Sequence, residues 1–267
     1  MAEALWLHAV ARDAGGLDGF PGIVGATVRT VAAAGLVAVV SPVDPAEFGE
    51  EALRRNLEDL PWLEGVARAH HAVVAAAGER GAVVPATLAT VYRDDAGVRA
   101  MLEQRRADLD AALDRIGGHT EWGVKVYAGK EPVPVAAPAQ QRPASARPGT
   151  DYLRRRRAEL SAGDERRRRA EDDAEQIHEA LAGRADAARR HPPQDRRLTG
   201  HAEPMVLNGA YLVGTDDSSR FADAVDELAQ RHPGLRLELT GPWPPYSFAS
   251  AEEASAEETS AGEAPAR

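Results

Sequence analysis

Five prolines crowd residues 130–149, at Pro132, Pro134, Pro138, Pro143 and Pro148, with almost no large apolar side chain between them. Proline fixes φ and cannot donate to a hydrogen-bond ladder, so the stretch reads as a semi-extended linker. It predicts a chain in two mixed parts: an N-terminal α+β domain over 1–129 and a C-terminal α+β domain over 150–248. From Ala249 onward, nineteen residues hold five glutamates among Ala, Ser, Thr and Pro. Such a segment buries too little apolar area to offset its ordering entropy, which predicts a disordered acidic tail over 249–267. A length of 267 residues accommodates two modest domains.

Local patterning fills in both parts. Leu5–Val10 is a short apolar run ending at a Gly/Asp-rich loop and reads as a strand. Thr27–Val31 and Leu36–Val40 flank Ala-Ala-Ala-Gly as a hairpin. Residues 45–60 and 61–77 read as helices, with Pro61 suited to a first turn and Leu63, Val66, His70 and Val73 at helical spacing. Val83–Tyr92 reads as a strand. Asp94 or Asp95 can cap a helix running to Gly117-Gly118. Glu121–Tyr127 alternates as a strand closing the first domain. In the second part, Thr150-Asp151 caps a long charged helix reaching about Arg190. A strand follows at Met205–Val213, then a helix capped by Ser218 or Ser219 with Phe221, Val225 and Leu228 on one face. Leu235, Leu237 and Leu239 alternate with polar residues as a half-buried strand.

The chemistry-bearing residues are sparse. With no cysteine, the chain has no disulfide, thiolate metal site or cysteine nucleophile. The net charge of −10, from 32 basic and 42 acidic residues, argues against a general nucleic-acid binder. No phosphate-binding glycine loop, G-x-S-x-G or H-E-x-x-H motif occurs, which predicts a protein that is not an enzyme and holds no cofactor and no metal. Adjacent His70 and His71 diverge by about 100° on a helix, so they read as one packed and one outward histidine. The start of the chain has no signal-peptide pattern, and the apolar run Val31–Val40 is too short to span a bilayer, which predicts a cytoplasmic protein without membrane partners.

Two features stand apart. Arg154–Arg157 and Arg166–Arg169 lie in a segment, 151–190, where eleven arginines meet ten acids. Such blocks form i,i+4 pairs on a solvated helix, each worth a few tenths of a kcal/mol. The sharper reading is a partner-binding helix, with Arg154 and Arg157 as candidate contacts. The second feature is Gly241–Phe248, where three of thirteen aromatics sit among three prolines. Trp243, Tyr246 and Phe248 suit either a latch on their own domain or an interface anchor for a partner.

The segment Leu239–Phe248 resembles the signature of the gas vesicle protein L/F family. Leu36–Ser41, Trp62-Leu63 with His70, Val84–Tyr92, Glu121–Val126 and Gly149–Leu153 agree with it in order. Many members carry Phe-Gly-Thr where this chain has Leu88-Ala89-Thr90, which aligns it with the L branch. The resemblance implies a minor structural or accessory protein of gas vesicles, with an N-terminal α+β domain and a modified ferredoxin-like C-terminal domain. It implies no enzymatic activity, and partners among the small apolar shell protein and other gas vesicle accessory proteins. Two other classes remain open on the residues alone: a nucleic-acid-binding regulator using the arginine-rich helix, and an enzyme whose site no motif reveals.

Overall fold

The computed structural model of the chain describes residues 3–129, 148–193 and 203–249. Contacts divide it into two units, one comprising residues up to Glu121 with the segment from Pro242, the other Trp122–Gly241.

The first unit is built on β1 (Ala4–Ala11), buried along its whole length. Antiparallel β3 (Leu36–Val43) lies on one side of β1. The short β4 (Val83–Pro85) and β5 (Val91–Tyr92) lie on the other. β2 (Arg29–Ala33) covers β3 and completes the order β2-β3-β1-β4. The β2–β3 hairpin turns at Ala34-Gly35, both with positive φ. That geometry matches the right-handed strand twist of a tight hairpin.

Helices cover this sheet and are capped as their sequences dictate. Asp44 caps α1 (Pro45–Phe48), and Gly49 separates it from α2 (Glu50–Asn56). Asp59 caps α3 (Leu60–Gly78), which buries Val66, His70, Val73, Val74 and Ala77. That i, i+4, i+7, i+8, i+11 spacing is one face of a helix. Asp94 caps α4 (Asp95–Gln104), and α5 (Arg106–Ile116) follows.

Three expected elements are broken here. The helix expected over 45–60 is two pieces, since Gly49 takes extended φ/ψ. The strand expected over Val83–Tyr92 is two short strands, because the chain loops out at Ala86–Thr90 and returns to the same neighbour. The helix expected to run unbroken to Gly117 stops at Arg105, whose φ −101° and ψ 14° are non-helical.

The second unit runs β6 (His119–Ala128), α6 (Pro148–Ala182), β7 (Ala187–Arg190), β8 (Met205–Gly214), α7 (Ser218–Arg231) and β9 (Leu235–Trp243). Its sheet order is β7-β8-β6-β9. A βαββαβ chain with its first and third strands central is the ferredoxin-like arrangement. Trp122, Val124 and Val126 of β6 alternate into the core. They pack with Ala170, Ala174, Ile177 and Leu181 of α6 and with Phe221, Val225 and Leu228 of α7. Gly123 permits a close strand approach, since a Cβ there would lie 2.6 Å from the Thr240 hydroxyl.

The boundary therefore falls elsewhere than expected. Trp122–Ala128 opens the second unit rather than closing the first, because its apolar face is needed by α6 and α7. The proline stretch follows β6 and so does not separate the two units. Residues 130–147 lie outside the described ones, as does the tail from residue 250. The long helix ends at Ala182, and Ala187–Arg190 is an edge strand pairing with β8. The closing segment from Pro242 joins the first unit, not the C-terminal one.

Candidate functional site

The closing segment forms a strap across the first unit. Gly241, at φ 123°, bends the chain within the last residues of β9, which runs on to Trp243. Pro242–Pro245 then hold it extended, since prolines offer no donor to a ladder. Tyr246–Phe248 closes in a single 3₁₀ turn.

Each strap residue is held. Phe248 is 2% exposed, and its carbonyl accepts from the Arg115 guanidinium at 2.9 Å. The Glu121 carboxylate accepts from the Ser247 backbone N–H at 2.7 Å and from its hydroxyl at 2.6 Å. Tyr246 stacks on His71 of α3 with centroids 6.1 Å apart and also meets His70. Burial holds the Tyr246 hydroxyl above the usual phenol range, so it stays protonated. Trp243 meets His71 edge-on at 5.1 Å while 42% of it faces solvent.

Beneath the strap lies a buried polar cluster. The register of β1 against β3 shifts between Leu7 and Ala9, so His8 is the extra residue of a bulge. Bulges re-aim side chains, and here His8 is turned fully into the core. Its Nε2 lies 2.8 Å from the Ser41 hydroxyl. Its ring stacks on His70 at 5.3 Å, and the Trp6 indole N–H donates to His70 Nδ1 at 3.0 Å. Burial first, and the neighbouring His70 second, push the His8 pKa down to about 3. Burial pushes His70 down to about 4. Both rings are therefore neutral at physiological pH.

A serine hydroxyl against a histidine is the first half of a nucleophile–base pair. Here Ser41 and His8 are both fully buried, and Gly22 packs so close that a Cβ there would lie 2.0 Å from the Ser41 hydroxyl. The pair is sealed from the surface, with both residues 0% exposed. Among the described residues no group of three or more metal-capable side chains gathers.

The expected contact residues separate by exposure. Trp243 is presented to solvent. Tyr246 is half-buried and engaged with both histidines. Phe248 is withdrawn from the surface, a correction to its candidacy as a partner contact, because it anchors the strap. Arg157 is exposed on α6. The Arg154 side chain lies outside the described ones. The described half of the arginine blocks forms ion pairs at helical spacing, Arg167 with Glu171 at 3.1 Å and Arg169 with Glu165 at 3.5 Å.

Sequence reasoning did not single out Glu121, Arg115 or His71 as strap anchors, nor the Ser41–His8 contact. Glu121 stood in an alternating strand like any exposed acid, and nothing local ties it to Ser247, 126 positions away.

The first unit holds an aromatic strap and leaves one tryptophan outward, and the second is a separate α+β unit. The chain belongs to the gas vesicle synthesis protein GvpL/GvpF family, whose model matches residues 4–250. It is 43% identical over 258 residues to gas vesicle protein L of Streptomyces sp. (strain CB03234), covering 95% of this chain and 96% of that one. It is 30% identical to gas vesicle protein F of the same strain, covering 83% and 87%. The crystal structure of gas vesicle protein GvpF from Anabaena sp. PCC7120 superposes with a TM-score of 0.64 at 18% identity, over 93% of this chain and 96% of that one. At that identity the likeness speaks for the fold. The role that follows from the family is that of a gas vesicle accessory protein. Among the described residues no helix is long and apolar enough to cross a membrane.

Proposed function

We propose that this chain assists gas vesicle assembly in the cytoplasm by binding the small apolar shell protein, alone or with other accessory proteins, and that it does so without catalysis. The observation that carries the reading is Trp243. A large indole held 42% exposed on a proline-stiffened strap presents apolar area with little rotamer entropy left to lose. An apolar shell subunit is an aggregation hazard before assembly, and an acidic partner covering its apolar surface keeps it in solution. Arg157, exposed on α6, is the candidate polar contact of the same partnership. The sealed Ser41–His8 pair supports a non-enzymatic reading.

Co-expression of the tagged chain with the shell protein tests this. The expected result is shell protein that elutes soluble with the tagged chain, and a several-fold loss of it with Trp243→Ala at unchanged circular dichroism. Shell protein that stays insoluble beside a folded tagged chain overturns direct capture.

A further inference from the structure

A cavity of about 170 Å³ opens in the first unit, and Trp243 is not among the residues that line it. It lies where β1 loses its regular neighbour. Between β4 and β5 the loop Ala86–Thr90 leaves the ladder, touching β1 only through Ala86 N–H to the His8 carbonyl and Leu7 N–H to the Thr90 carbonyl, each 2.9 Å. Met101, Arg105 and Leu109, around the break between α4 and α5, line it from the helices, and Tyr246 and Ala249 line it from the closing segment. At ~10–15 Å³ of such space needed for one water, the cavity has room for several waters or a small organic group.

The wall has an unusual charge balance. Leu7 and Leu109 give it apolar surface, Thr87, Thr90 and Tyr92 give it hydroxyls, and Arg105 gives it a cation. No aspartate or glutamate lines it. Neighbouring arginines on the same helices are neutralised: Arg99 by Asp95, Arg106 by Asp110. Arg115 is used on the Phe248 carbonyl. Arg105 has no ion pair among the described residues, and it sits at the helix break itself. Its charge acts on Tyr92, whose hydroxyl burial keeps protonated and able to donate.

The loop that forms the rim is strained. Ala89 takes φ 69°, a left-handed conformation costly for a residue with a Cβ. Stored strain of this kind clusters at ligand clamps and functional loops.

We propose that this cavity binds one carboxylate on a short aliphatic stem, with Arg105 as its ionic partner and the Tyr92 hydroxyl as a second donor. A guanidinium matches a carboxylate in planar, two-pronged geometry, and the leucine surfaces take the methylenes. A glutamate side chain and a free dicarboxylate share this chemistry.

Glutarate is the probe, titrated into the full chain by calorimetry at low ionic strength, with uncharged glutaramide as the control. A ligand of this size reaches a dissociation constant of about 1 mM. The expected result is saturable binding of glutarate and none of glutaramide. Arg105→Gln weakens it at least about tenfold, Arg105→Lys weakens it less, and Tyr92→Phe costs a few-fold, all at unchanged circular dichroism and melting temperature. A capped Ala-Glu-Glu-Ala peptide separates the sources. Tighter binding than glutarate assigns the site to polypeptide glutamates, and weaker binding assigns it to free carboxylates. Absence of saturable glutarate binding, or equal binding in Arg105→Gln, overturns the proposal. Neither result bears on Trp243, so shell-protein capture stands or falls separately.

Discussion

The two units solve the burial problem in opposite ways. The second fills its core with apolar rings and branched chains: Trp122, Ile177, Leu181, Phe221 and Leu228. The first places two histidines and a serine at its centre and joins them through one ring nitrogen each, His70 Nδ1 to the Trp6 indole and His8 Nε2 to the Ser41 hydroxyl, while His8 Nδ1 and His70 Nε2 are buried without a partner. An apolar core is indifferent to pH, whereas a core of neutral imidazoles is stable only while they remain neutral. The difference teaches where this fold is vulnerable and under which conditions.

The largest expected effect removes packing from the second unit. Phe221 is 1% exposed and meets both Trp122 and Tyr211. Phe221→Ala is expected to cost about 3–5 kcal/mol by denaturant unfolding, with little dependence on pH between 5 and 7. A strong pH dependence of that loss would break the contrast.

Acid should act on the first unit. The folded pKa values of His8 and His70, about 3 and about 4, lie below the ordinary 6.5. Below pH 6.5 the unfolded chain takes up protons that the folded one does not, so stability is complete above 6.5 and falls as pH drops toward the folded values. Each histidine contributes roughly 2 kcal/mol of loss between pH 6.5 and pH 5. Hydrogen exchange followed against pH should show β1 and α3 losing protection before α7. Loss of protection in α7 first would reverse the assignment.

The strap offers a smaller effect. Glu121→Ala removes the acceptor for both Ser247 bonds, and hydrogen bonds to a charged group are worth about 1.5–3 kcal/mol. The expected outcome is a lower melting temperature with raised fluorescence quenching of Trp243 by iodide, read in a background where the other tryptophans are unchanged. Quenching that stays constant would mean the proline segment holds its course without the Glu121 anchor.

Ala89→Gly should stabilise the first unit by about 0.5–1 kcal/mol, since glycine adopts φ 69° without a Cβ clash. A drop in midpoint would show that the Ala89 methyl packs usefully. Smallest of all is Arg167→Ala on α6, whose exposed pair with Glu171 is worth about 0.3–0.5 kcal/mol and should vanish in high salt.

Much was legible along the chain where the signal is local. The hairpin around Ala34-Gly35, the cap at Asp94, the one-sided apolar face of α7 and the alternation of β6 all follow from spacing within a few residues. The aromatic segment Trp243–Phe248 was visible as a latch or an anchor, and the structure divides that choice by residue: Phe248 latches, Trp243 faces out. Its hold on Glu121 and Arg115 was illegible, since no local pattern distinguishes these from other surface charges.

By itself, then, the amino-acid sequence determined the α+β class, most helix and strand identities and the family, because capping, turn chemistry and hydrophobic period act over short range; Ala187–Arg190, read as helix, is an edge strand. Only the tertiary structure decided which unit owns β6 and the strap, that His8 turns inward at a bulge beside Ser41, and that Arg105 faces a cavity without an acid. These depend on which distant surfaces must be buried together. A strand with one apolar face carries no mark of which helices will cover it, and that choice is made by burial over the whole chain.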